Sequence, residues 1–99
     1  MAPMETLSQA IDRLRDAGYH IDYRANDQQL LECDECGAVY EPSAMHVDEI
    51  VRFEGASDPG DEAILYALDA GGGHRGLYAA AYGAAVSADD IAVIRSLPT

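Results

Sequence analysis

Cys33 and Cys36 are the two cysteines of the chain, and they stand with two residues between them in the segment CDECG. Two thiolates at this spacing, followed by a glycine that lets turn amides close in, form the knuckle that supplies half of a tetrahedral zinc site. A closed site needs four ligands, and the nitrogen donors at hand are His20, His46 and His74, none of them spaced as a second pair. His46 with His20 would complete the set, so the candidate zinc ligands are Cys33, Cys36, His46 and His20. Two chains that each supplied one knuckle would also do so. The competing reading makes both cysteines small semi-apolar residues of a strand end and turn. A redox role fits less well, because a reactive pair sits at a helix N-terminus, whereas strand-forming residues follow here and Asp34 and Glu35 would raise the thiol pKa.

Three further segments carry groups capable of chemistry. The stretch from Glu54 to Glu62 gathers four carboxylates of the kind hard cations bind, but not at EF-hand spacing, and its Asp, Pro and Gly content is also that of an ordinary turn. DAGGGHRG offers glycine amides with His74 and Arg75, yet it matches neither the dinucleotide nor the P-loop pattern and reads better as a hairpin tip. The six tyrosines, Tyr19, Tyr23, Tyr40, Tyr66, Tyr78 and Tyr82, accompany a single Phe53 and no tryptophan. They suit sheet packing with hydroxyls at the edge, or an interaction surface built from rings. No serine or cysteine nucleophile has a recognisable histidine and acid around it, so an enzyme reading has no anchor.

The elements that must position these groups follow from periodicity. Met4, Leu7, Ala10, Ile11, Leu14 and Ala17 mark one face of a helix. It starts near Pro3 or at Thr6, where Gln9 would complete a capping box, and stops at Gly18. Tyr19 to Arg24 reads as a short strand with Tyr19, Ile21 and Tyr23 on one face, and Ala25 to Asp27 as a turn. Leu30 and Leu31 open a second strand that runs into Cys33; CDECG then turns the chain toward Ala38, Val39 and Tyr40. Pro42 marks a short irregular or single-turn piece.

HVDEIVRFE is the most strand-like stretch, with Val47, Val51 and Phe53 sharing one face and Glu49 as the exception. Ala63 to Ala70 is apolar on both faces, as a covered central strand should be, and Leu77 to Tyr82 repeats the pattern. Ser87 with Asp90 resembles a capping box for a last helix whose Ile91, Ile94 and Leu97 face inward and which Pro98 ends. The expected architecture is α+β: a mostly antiparallel sheet packed against an N-terminal and a C-terminal helix.

At 99 residues the chain fits one domain, residues 1–99. Six basic residues, all arginine, oppose 18 acidic ones for a net charge of −12. Such a surface repels phosphate backbones and anionic headgroups, which argues against direct nucleic-acid or membrane binding. An acid-rich, lysine-free composition resembles that of proteins in concentrated salt, where screening relieves self-repulsion. No stretch is long and apolar enough to span a membrane, and MAPMETLSQA lacks the basic and apolar regions of a signal peptide, so a cytoplasmic protein is expected.

The segment HVDEIVRFEGASDPGDEAILYAL, followed by GLYAAAYG and preceded by a helix ending in AGYHIDYR, resembles a group of small uncharacterised bacterial proteins of about this length. Some of them are labelled phosphoribosylpyrophosphate synthetase. The similarity runs along most of the chain and implies a fold more than an activity; it carries over no site residues. Together these features predict a noncatalytic binding or regulatory module that associates with another protein or with itself. The alternatives are a zinc-stabilised domain using CDEC, and an acidic nucleic-acid mimic that engages a basic partner.

Overall fold

Thr6 opens the first helix because its side chain accepts the Gln9 amide at 3.1 Å while the Gln9 side chain accepts the Thr6 amide at 2.9 Å. This is the capping box expected from sequence. The helix, α1 (Leu7–Asp16), ends with the Gly18 amide on the Arg15 carbonyl and the Tyr19 amide on the Leu14 carbonyl. That pair of bonds needs a left-handed residue, and Gly18 supplies it with φ of 110°. The computed structural model describes residues 6–35, 37–53, 63–81 and 87–98.

Beyond α1 the chain forms β1 (Ile21–Ala25), β2 (Leu31–Cys33), β3 (Val39–Tyr40), a 3-10 turn (Pro42–Ala44), β4 (His46–Phe53), β5 (Ala63–Asp69), β6 (Arg75–Ala81) and α2 (Ala88–Ser96). The strands make one sheet in the order β3-β2-β1-β6-β5-β4. Every neighbouring pair is antiparallel except β1 with β6, which run parallel. The result is the α+β arrangement of terminal helices on a mostly antiparallel sheet.

The helices cover opposite faces. Leu65, Ala67 and Leu77 meet Ala10 and Leu14 of α1 on one side, while Ile64, Tyr66, Leu68, Tyr78 and Ala80 meet Val93 and Leu97 on the other. Alternate residues of β5 thus enter two separate cores, which explains a strand apolar on both faces. On the α2 side Tyr66 and Tyr78 stack with ring centroids 6.0 Å apart.

The sheet is curved. From Tyr40 at one edge the chain reaches His46 at the other through residues 41–45, a path of at most about 22 Å even if fully extended. Five strand spacings in a flat sheet need about 24 Å. The 3-10 turn shortens the path further, so the edges bend toward each other around the α2-side core, over which Pro42 and Met45 are buried.

Three details differ from the sequence reading. Tyr19 does not share the face of Tyr23: its amide is held by the end of α1, so its ring packs with Leu14 in the α1-side core, while Tyr23 lies in the other. Val47 packs on the α2 side and Val51 on the α1 side, because a bulge shifts the β4–β5 register between Val47 and Glu49. In α2 the inward stripe is Asp90, Val93, Ile94 and Leu97, since the Tyr78 hydroxyl donates to the Asp90 carboxylate; Ile91 is left 38% exposed. The expected acidic loop Glu54–Glu62 and Tyr82 lie outside the described residues, whereas GGG between β5 and β6 is the expected hairpin tip, with all three glycines at positive φ.

Candidate functional site

Among the described residues the candidate zinc ligands Cys33, His20 and His46 form no group able to hold a metal ion. Cys33 is 3% exposed, opposite Tyr23 on β2 and packed in the α2-side core. His20 is exposed just before β1, and His46 is exposed at the start of β4. Cys36 lies outside the described residues. Among the described residues no three His, Cys, Asp or Glu side chains are grouped to hold a metal ion.

What gathers instead is a polar chain at one end of the sheet on the α1 side. The β4 bulge directs two consecutive carboxylates, Asp48 and Glu49, toward α1. Asp48 accepts the Tyr19 hydroxyl at 2.6 Å and lies 2.6 Å from Nδ1 of His46. Glu49 pairs with Arg13 of α1 at 2.7 Å. Arg75, at the start of β6, donates from Nη2 to the Tyr19 hydroxyl at 3.1 Å and lays its guanidinium over the Tyr19 ring, with Cζ 4.5 Å from the centroid. Gly18 leaves room for it, since a Cβ there would stand 3.2 Å from Nη1 of Arg75.

The electrostatics follow the geometry. The Tyr19 hydroxyl, helped by His46, holds the Asp48 carboxyl below its usual range. Burial, with Asp48 next to it, pushes the Tyr19 phenol up. Tyr19 and the nearby carboxylates keep Arg75 firmly charged. With Nδ1 of His46 committed to Asp48, the outward Nε2 is presented to solvent on a side chain that is 79% exposed. The network joins α1, β4 and β6 at one corner of the fold.

No known protein family, curated protein or solved structure matches this chain.

The surface next to this corner is the outer side of β4, with which no other strand pairs among the described residues. The sheet has two edges, and they differ: β3 is two residues long, whereas β4 is eight. Short edge strands are a usual protection against unwanted pairing, and β4 lacks it. Its bulge lies near its start, so Glu49–Phe53 runs on in unbroken register with β5. Beside it Val47, Asp48, Glu49, Ile50 and Pro98 line a shallow groove of about 340 Å³. Ile50 stands 41% exposed there.

Sequence reasoning missed Asp48, Glu49, Arg13 and Arg75 as a set. The one available signal was Glu49 itself, a charge breaking an otherwise apolar alternation, which marks a strand whose face is re-aimed by a bulge.

Proposed function

We propose that this chain is a noncatalytic protein-association module of the cytoplasm whose edge strand β4 takes up a strand from a protein partner. The observation that carries the reading is the eight-residue edge strand with exposed Ile50 and the groove beside it. An added strand gains affinity from main-chain hydrogen bonds to the free edge and specificity from alternate side chains seated in grooves. The corner supports this role: Tyr19, Asp48 and Arg75 anchor the entry of β4, which lowers the ordering entropy that opposes binding. No described helix is long and apolar enough to cross a membrane, in keeping with a partner met in solution.

Site-specific photo-crosslinking in cells tests it. A crosslinker placed at Ile50 should capture a protein chain, and one placed at Ile91, a similarly exposed apolar residue on α2, should not. Equal capture at both positions, or none at Ile50, overturns the proposal.

A further inference from the structure

We infer that α2 is a latch: the Tyr78–Asp90 bond holds it shut, and it opens as a unit of its own, taking Pro98 away from the groove beside β4, while the sheet stays folded. Its bearing on docking rests on the reading of β4 as the docking edge. Asp90 is the fastener. Its Oδ1 accepts the hydroxyl of Tyr78, a residue 1% exposed in the α2-side core, and its Oδ2 accepts the Ser87 hydroxyl at 2.9 Å. The Asp90 amide donates to Ser87 Oγ at 3.1 Å, so one residue ties the N-cap of the helix to β6. Apolar burial is given up for this bond. With Asp90 turned inward Ile91 stands out, and the helix fastens its remaining length through Val93, Ile94 and Leu97.

Segments that bury few apolar side chains open at lower free energy than the rest of their domain. A nine-residue helix is not stable alone in water, so release from the sheet also frees its amides to exchange. The sheet survives the event. The α1-side core contains no residue of α2, and all five strand pairings are made without it. At the other end of the helix Leu97 is buried, and Pro98 next to it lines the groove with Val47 and Ile50. Opening therefore removes one wall of the groove, and a partner seated against Pro98 favours the closed state.

Residue-resolved hydrogen exchange of the full chain tests the latch. In the wild type the α2 amides should exchange at least about tenfold faster than the slowest amides of β5 and β6. Tyr78→Phe keeps the ring and removes the bond; it should speed α2 exchange about tenfold further and leave β5 and β6 unchanged. Asp90→Ala should move the same amides from the helix side. Amides of α2 as slow as those of the sheet, or equal acceleration of α2, β5 and β6, overturn the inference. Asp90→Ala combined with Val93→Ala should leave the sheet amides protected, those of α2 unprotected, and the crosslink at Ile50 reduced at least about tenfold. Undiminished capture in that double variant overturns the inference as well. Capture absent already in the wild type defeats the docking edge instead, and the exchange rates still decide the latch.

Discussion

The Tyr19 hydroxyl reaches the Asp48 carboxylate at 2.6 Å, so the residue that ends α1 fastens the bulge of the edge strand. Tyr19 is 6% exposed and its oxygen serves two partners, donating to Asp48 and accepting from Arg75. Tyr19→Phe keeps the ring and the stacked guanidinium but leaves a carboxylate and a guanidinium short of a partner. Because both bonds are to charged groups, the loss should be about 1.5–3 kcal/mol in urea unfolding. It should also loosen β4, seen as faster amide exchange at Asp48 and Glu49.

The same bond gives the fold an acid limit. The folded pKa of Asp48 lies below its unfolded value of about 3.9, so the unfolded chain takes up the proton first as pH falls. The stabilisation from Asp48 is therefore complete above that unfolded value and is lost as pH falls through the folded one. Asp48→Asn should lower stability at neutral pH and flatten the acid side of the profile. Urea midpoints measured from pH 7 down to pH 2.5 test this, and parallel curves for the two proteins would refute it.

Gly76 marks the seam where β1 and β6 run parallel. A Cβ there would overlap the Ile21 carbonyl oxygen, and it would stand 2.7 Å from the Tyr23 ring and 2.8 Å from Cβ of Ile21. Backbone cannot move aside without opening the centre of the sheet. Gly76→Ala should cost about 3 kcal/mol or more, at the upper end of overpacking changes. Gly73→Ala places its Cβ in open space and pays only for its positive φ of 85°, about 1 kcal/mol. Paired unfolding curves of the two variants should keep this order.

Salt should stabilise the molecule. At a net charge of −12 self-repulsion opposes folding, and molar salt shortens the screening length from about 10 Å at 0.1 M to about 3 Å. The described ion pairs, Arg13–Glu49, Arg15–Asp22, Arg24–Glu32 and Arg24–Asp34, weaken as well, but such surface pairs are worth little each. Relief of repulsion wins. A gain on the order of 1 kcal/mol corresponds to a melting point about 4–8 °C higher in 1 M NaCl, and an unchanged melt would contradict it.

How much of this was legible depends on whether the signal is local. Thr6 with Gln9, Gly18 at the end of α1, and the glycines between Asp69 and Arg75 act on their own neighbours, and each does in the fold what its spacing implies. The α+β order followed from the same local periodicities. Tyr19, Val47 and Ile91 were misplaced because distant partners decide them: the α1 terminus holds the Tyr19 amide, the β5 register creates the bulge, and Tyr78 rotates α2 by binding Asp90. The candidate site lay beyond reach for the same reason. Arg13, Tyr19, Asp48 and Arg75 come from three elements far apart in sequence, and no spacing rule links them.

Cys33 offers the last test, since the packing and zinc readings of CDEC predict different responses. Its side chain is 3% exposed in the α2-side core that also holds Tyr23, Leu31 and Met45, the place of a small hydrophobe. Cys33→Ser then places a more polar group in that core and should cost about 1–3 kcal/mol, whereas Cys33→Ala should cost less than the serine variant. A chelator should leave the wild-type melt where it is. In a zinc knuckle the thiolate is the ligand, so alanine and serine would be equally damaging and the chelator would lower the melt as much as either substitution. Thermal melts of the three proteins with and without chelator, alongside metal analysis of protein prepared without it, separate the two in one set of measurements.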